Sequence, residues 1–276
     1  MRKMLTKTVT LNNGVKMPIF GFGSYKVEDG KQAIEAIKYA LTLGYRHIDT
    51  ASFYDNETLI AQAIKESGIP REEIFITSKV WNDEQGYEST LQAFEQSIQK
   101  LGTDYLDLYL IHWPKPISHE TWRALEKLYT DGRIRAIGVS NFKEHHLQDL
   151  LSVCQIRPTI NQIEYHPRLS QPSLIEFCQK NDIQVEAWGP LMRGKIFEIE
   201  ELQQLAKKYH KSVAQIVLRW DIQNHVVTIP KSINPARIKA NMEISDFELS
   251  NEDMSMINSL NLNERFGDDP DDIYNL

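Results

Sequence analysis

Gly44-Tyr45-Arg46-His47-Ile48-Asp49-Thr50-Ala51-Ser52-Phe53-Tyr54 is the stretch whose reading decides the fold. Upstream of it Ile34, Ile37 and Leu41 recur at helical spacing, and Gly44 is placed to end that helix as its C′ residue. A short strand is expected from Tyr45 to Asp49, with a loop carrying Tyr54 beyond it. The next helix presents Leu59, Ile60, Ala63 and Ile64 and stops at Gly68 and Pro70. This unit, a short apolar strand followed by an amphipathic helix, repeats along the chain.

Working outward, the first inner strand reads as Pro18–Gly21, preceded by a hairpin around Asn12-Asn13-Gly14. Later strands read as Ile74–Val80, Leu106–Ile111, Ile134–Val139, Thr159–Ile163, Ile183–Ala187 and Val226–Ile229. Asp29-Gly30 precedes the first helix, Pro172 suits the first turn of another, and Ser212-Val213-Ala214-Gln215 is a capping-box pattern. Asn234-Pro235 starts one helix and Ser250-Asn251-Glu252-Asp253 the last, after which the acidic tail from Asn263 is expected to be loose. Short, largely apolar strands alternating with helices point to a parallel sheet covered by helices. Eight such units within 276 residues suit a (β/α)8 barrel (a TIM barrel) with an N-terminal β-hairpin and two extra helices. An open doubly wound sheet is the alternative. No low-complexity linker divides the chain, so residues 1–276 read as one domain.

The formal net charge of -7 and a pI near 5.7 disfavour nucleic acid or an anionic membrane surface as partner. Met1–Lys7 carries basic residues with no apolar run behind them, unlike a signal peptide, and no run of about 18 apolar residues offers a membrane span. Cys154 and Cys178 lack ligand-like spacing and are expected to be reduced and buried, which fits a cytoplasmic address. A monomer is expected, and no metal.

In such a barrel reactive groups belong at the C-terminal ends of the strands. Here Asp49, Lys79, His112, Ser140-Asn141, Gln162, Trp188 and Lys231 fall at or near seven of the eight strand ends. A lysine in a barrel mouth needs a counter-charge, which Asp49 on the adjacent strand can give. An ammonium beside the Tyr54 hydroxyl would lower the phenol pKa from ~10 toward that of a working general acid. His112 can hydrogen-bond a substrate carbonyl oxygen. That set describes carbonyl reduction, and since no side chain supplies hydride, a cofactor must. Taken singly the residues have plainer readings: Asp49 as a helix N-cap, Tyr54 or Trp188 as packing, His112 as a core histidine, Lys79 as the Schiff-base lysine of an aldolase barrel.

Gly21-Phe22-Gly23-Ser24-Tyr25-Lys26 begins like a dinucleotide fingerprint but ends in Lys and opens no immediate helix, so a Rossmann site is disfavoured. Ile229-Pro230-Lys231-Ser232-Ile233-Asn234-Pro235-Ala236-Arg237 instead sets Lys231, Ser232 and Arg237 around a helix N-terminus, an arrangement suited to phosphate. Two cations there favour the 2′-phosphate of NADP over NAD. Trp188 can offer a flat face to a nicotinamide ring.

Five motifs in order, Gly44–Ala51, Leu110-Ile111-His112-Trp113-Pro114, Gly138-Val139-Ser140-Asn141-Phe142, Asn161-Gln162-Ile163-Glu164 and Ile229-Pro230-Lys231-Ser232, resemble the aldo-keto reductase superfamily over nearly the whole chain. The resemblance implies a barrel that binds NADPH in extended form, with a tetrad of Asp49, Tyr54, Lys79 and His112 in which Tyr54 donates the proton. It assigns Ser140, Asn141, Gln162, Trp188, Gly189, Leu191, Lys231, Ser232, Arg237 and Asn241 to the cofactor. Ala187-Trp188-Gly189-Pro190-Leu191 departs from the commoner tyrosine-serine version and looks like the bacterial branch of 2,5-diketo-gluconate, glyoxal and methylglyoxal reductases. Ala240 stands where many members carry a glutamate facing the adenine. The tail after Leu260 is short compared with the animal aldose reductases, implying a more open mouth lined by Tyr25, Trp81, His112 and Trp113 and suited to small or mid-sized carbonyls, dicarbonyls or keto-sugars. A slow-turnover cofactor sensor, like the channel-associated members, is the alternative role.

Overall fold

The hairpin forms because Asn13 and Gly14 supply the turn chemistry that reverses the chain: Asn13 Oδ1 accepts from Val15 N at 3.2 Å, and Gly14 has a φ of 85°. It joins β1 (Thr8–Thr10) to β2 (Lys16–Pro18) in an antiparallel pair. This computed structural model describes residues 4–27 and 30–275. Residues 1–3, part of the basic N-terminal stretch, and Asp29, read as preceding the first helix, lie outside the described residues.

Eight parallel strands follow among the described residues: β3 (Phe22–Gly23), β4 (His47–Asp49), β5 (Phe75–Val80), β6 (Leu106–Ile111), β7 (Ile134–Ser140), β8 (Ile160–Glu164), β9 (Gln184–Trp188) and β10 (Val227–Thr228). Each pairs with its sequence neighbour. The two ends meet through a parallel bridge from Phe20 to Thr228, with Gly21 N donating to the Thr228 carbonyl at 2.9 Å and Thr228 N to the Ile19 carbonyl at 3.1 Å. The sequence therefore folds as the expected (β/α)8 barrel. The first inner strand lies later than the Pro18–Gly21 expected, because Pro18 is used in the hairpin and the chain reaches the sheet only at Phe20.

Helices coat the barrel: α1 (Gly30–Leu43), α2 (Glu57–Ser67), α3 (Tyr87–Leu101), α4 (Ser118–Thr130), α5 (Glu144–Val153), α6 (Pro172–Lys180), α7 (Glu200–Tyr209), α8 (Val213–Gln223), α9 (Pro235–Met242), α10 (Asn251–Asn258) and α11 (Pro270–Tyr274). Their boundaries obey local chemistry. Gly44, Gly68 and Gly102 follow the first three helices with positive φ, and Ser212, Asn234 and Ser250 accept from the backbone as N-caps. Helix α11 lies in the tail that the sequence suggested would be loose.

The barrel interior divides by height. Toward the hairpin, Leu11, Met17, Phe75, Leu108, Leu110, Ala136, Ile160 and Val227 form one apolar cluster, so β1 and β2 plug the strands' N-terminal end. Toward the other end the buried side chains turn polar, with His47, Asp49, Lys79, Gln162 and Glu186 all nearly inaccessible. Gly138 sits where β7 crosses the packed interior: a Cβ there would lie 2.6 Å from Ile160 Cγ2 and 2.8 Å from the Ile160 carbonyl oxygen. Gly138→Ala is therefore expected to destabilise by about 1–3 kcal/mol through overpacking, read as a thermal midpoint several degrees lower; an unshifted midpoint would show that the strand gives way freely.

Candidate active site

Strand geometry carries the reactive side chains to one rim. Asp49 is the last residue of β4, Lys79 the last but one of β5, and His112 follows β6 directly. Lys79 Nζ donates to Asp49 Oδ1 at 2.7 Å and to the Thr50 carbonyl at 2.8 Å, and lies 3.5 Å from the Tyr54 hydroxyl. The His112 ring meets the Tyr54 ring edge-on at 5.6 Å between centroids. Asp49, Tyr54, Lys79 and His112 thus come together at one end of the barrel.

The loop that delivers Tyr54 is held firmly. Residues Ser52–Tyr54 form a 3-10 turn closed by Asp55 in the left-handed region, φ 50°. Ser52 Oγ lies 2.6 Å from Glu84 Oε2 and 3.1 Å from the Lys79 carbonyl oxygen. Thr50 Oγ1 donates to Asn56 Oδ1 at 2.7 Å, and Asn56 Nδ2 to the Ser24 carbonyl at 2.9 Å. Sequence reading missed Glu84 and Asn56, which carry no signal beyond their polarity.

Electrostatics corrects one expectation. Burial raises the Tyr54 phenol to about 12, and the pull of the Lys79 ammonium only partly offsets it. Tyr54 is therefore a neutral phenol, not an acidified one. Burial also works against the Lys79 ammonium, but Asp49 and then Tyr54 outweigh it and hold its pKa above the ordinary lysine value. A permanently charged, ion-paired lysine is no Schiff-base nucleophile, which needs the free amine, and this disfavours the aldolase reading. Burial and Lys79 push His112 well below the ordinary histidine range. It can offer an N–H without bringing charge.

Around this centre Ser140 ends β7, Asn141 follows it with a φ of 64°, and Gln162 lies in β8 opposite Ser140. Ser140 Oγ donates to the Gln162 carbonyl at 2.9 Å, Asn141 Nδ2 to the His112 carbonyl at 2.9 Å, and Trp188 Nε1 to Asn141 Oδ1 at 2.7 Å. Trp188 ends β9; half-buried Gly189, φ 63°, and Leu191 follow it. A separate cluster surrounds the start of α9: Arg237 Nε approaches Ser232 Oγ at 3.4 Å, Lys231 is exposed and Asn241 buried.

At the mouth Phe53 stacks on Trp81 with centroids 3.8 Å apart, Trp81 meets His112 edge-on at 5.0 Å, and Tyr25 meets Tyr54 at 5.0 Å. Phe53 is 49% exposed and Tyr25 43%, so both offer ring surface to an incoming molecule. Phe53 was missed, although its place beside Tyr54 was the available clue. Trp113 is buried, its carbonyl taken by Gln85 Nε2 at 2.8 Å. A cavity of ≈ 430 Å³ beside Lys7, Val9 and His225 lies near the hairpin, away from this chemistry.

The tail is docked rather than loose. Phe266 N and Gly267 N donate to the buried Glu164 carboxylate at 2.7 and 3.2 Å, and Lys143 pairs with Asp269 and Asp271. Gly267 is required here, since a Cβ would collide with the Trp188 ring. Cys178 is buried as expected, whereas Cys154 caps α5 and is only half-buried; both are free thiols.

Residues 19–262 match the Aldo/keto reductase family model. The chain is 58% identical over 270 residues to the glyoxal reductase of Bacillus subtilis (strain 168), covering 98% of each chain. It superposes with a TM-score of 0.93 on an aldo-keto reductase from a Medee basin deep-sea metagenome library, 47% identical and covering 95% of this chain and 98% of that one. A Bombyx mori aldo-keto reductase in complex with NADP gives a TM-score of 0.91 at 36% identity over 96% of both chains.

Two outcomes are expected here. Glu164→Gln should loosen the tail, seen as faster hydrogen exchange at the Phe266 and Gly267 amides and faster proteolysis beyond Leu262; unchanged rates would mean the ion pairs of Lys143 suffice. His47, pushed by burial and then by Lys79 from an ordinary value near ~6.5 down to about 3, stays neutral in the native barrel. Between those values the unfolded chain binds a proton that the native ring refuses, so stability falls as pH drops through that window. His47→Asn should flatten this acid limb in denaturation curves, and an identical limb would place the loss elsewhere.

Proposed function

The chain belongs to the aldo/keto reductase family and reduces carbonyl compounds with NADPH, and on that premise we propose that Tyr54 donates the proton to the carbonyl oxygen. The observation that carries this is the Tyr54 hydroxyl 3.5 Å from an ammonium that Asp49 holds at 2.7 Å, at the open end of the barrel beside His112. When bound, NADPH supplies the two electrons and the hydrogen that goes to carbon. As charge grows on the carbonyl oxygen, the His112 N–H and the Tyr54 hydroxyl hold it in place. An alkoxide is a much stronger base than a phenolate, so a phenol with a pKa of about 12 still gives up its proton to it. Lys79 then faces the tyrosinate it stabilises, and Asp49 keeps Lys79 charged.

The donor set fits the cofactor. Lys231, Ser232 and Arg237 gather cations and a hydroxyl at the N-terminus of α9, suited to a 2′-phosphate, with Asn241 one helix turn on. Ser140, Asn141, Gln162 and Trp188, with Gly189 and Leu191, form the seat for the nicotinamide. Tyr25, Phe53, Trp81 and Trp113 wall the substrate side, and the substrates this reading favours are dicarbonyls such as the glyoxal named for the Bacillus subtilis relative. The chain works as one barrel domain and as a cytoplasmic monomer that binds neither nucleic acid nor membrane. The net charge of -7 works against polyanionic partners, and among the described residues no helix is long and apolar enough to cross a membrane.

Tyr54→Phe should cut kcat by about 10²–10⁴-fold while leaving NADPH binding largely intact. Assays with glyoxal, methylglyoxal and a plain aldehyde, run with NADPH and NADH in parallel, measure this and the cofactor preference together. A variant with the parent's rate would refute the assigned acid.

A further inference from the structure

Glu186 is a fully buried carboxyl group that takes no part in the chemistry above. It sits in β9, and its Oε2 accepts from Gln162 Nε2 at 2.8 Å. The same nitrogen donates to Asp49 Oδ2 at 2.7 Å. Among the described residues Glu186 Oε1 makes no hydrogen bond; it lies 3.6 Å from His47 Nε2. The amide nitrogen of Gln162 carries two N–H groups, and each has a carboxyl oxygen as acceptor.

The terminal torsion of a glutamine is broad and roughly two-fold, so its amide orientation must be set from outside. Turning this amide over would give up both donated hydrogen bonds and press its carbonyl oxygen against the Asp49 carboxyl group, the ion-pair partner of Lys79. One acceptor alone would leave the amide free to pivot about a single hydrogen bond. Two acceptors, one for each N–H, fix its plane and so the direction of its carbonyl oxygen.

We propose that Glu186 is a positioning residue for the cofactor: with Asp49 it clamps the Gln162 nitrogen in the barrel interior, leaving the amide oxygen as the acceptor for the carboxamide N–H of the nicotinamide. The inference rests on the reading of Gln162 as part of the cofactor seat. Asp49 then serves both ends of the site, with Oδ1 on Lys79 and Oδ2 on Gln162. The amide that orients the ring and the ammonium that faces the proton donor lean on one carboxylate.

The test compares two ligands that differ only at the carboxamide. In 3-acetylpyridine adenine dinucleotide phosphate a methyl group replaces the NH2, so it cannot donate to Gln162. Dissociation constants for it and for NADP are measured by quenching of tryptophan fluorescence on the full-length enzyme. The parent should prefer NADP by about three- to tenfold, the worth of one hydrogen bond. Glu186→Met, similar in volume without an acceptor, should lose most of that preference, and Glu186→Gln, which keeps a carbonyl acceptor, should retain it; Glu186→Ala puts the same question if the methionine variant does not fold. Looser packing alone would weaken both ligands equally and leave their ratio unchanged, which would overturn the proposal. Gln162→Ala separates the two readings. If it abolishes the preference while Glu186→Met keeps it, the clamp is wrong and the cofactor seat stands; if it changes nothing, the seat itself is wrong.

Discussion

An ammonium and a carboxylate 2.7 Å apart, both shut away from water, hold the working end of this barrel together. Desolvating either ion alone costs several kcal/mol, of order what a buried pair recovers only when its remaining hydrogen bonds are also met. Here they are met: Lys79 has the Thr50 carbonyl and the Tyr54 hydroxyl, and Asp49 has the Gln162 amide. The pair is thus poor evidence of extra stability but strong evidence of a fixed charge pattern. Polar groups are stacked at one end of the interior, while the hairpin seals the other end with Leu11 and Met17.

The charge pattern explains the neighbouring groups. Burial, and after it the ammonium, keeps His112 and the interior His47 neutral, so Lys79 is the one cation among these three groups. Burial keeps Tyr54 protonated, so the proposed donor is loaded at ordinary pH and is asked for its proton only when a strong base forms in front of it. An acidified tyrosine, which the sequence suggested, would spend part of its time ionised and unable to donate. The ordering of effects matters more than the presence of the lysine: desolvation is the largest influence on the phenol and the ammonium the second.

Much of this was legible in the sequence because barrel strands repeat a rule. A polar residue that ends an apolar strand must face the rim, and Asp49, Lys79, His112 and Ser140 could be placed that way without coordinates. The start of α9 was legible too, since Asn234-Pro235 announces a helix N-terminus next to Lys231 and Arg237. What stayed hidden depended on partners distant in sequence. Glu164 meets the amides of Phe266 and Gly267 about a hundred residues later, so an acidic tail looked loose when it is tied down. Glu186, a carboxyl group in a short strand, was passed over, because its bond to Gln162 needs two strands in register. The first strand was misplaced for a local reason, because Pro18 reads equally well as the end of a hairpin and the start of a strand.

If the lysine acts through the tyrosine, the two residues form one functional unit and their losses must not multiply. The most direct measurement is a double-mutant cycle on kcat with Lys79→Met, Tyr54→Phe and the two combined, each variant checked for folding by thermal denaturation. The account predicts that the double variant is no slower than Tyr54→Phe alone, since without the hydroxyl the ammonium has nothing to stabilise. Losses that multiply, with the double variant slower by the product of the single effects, would contradict it.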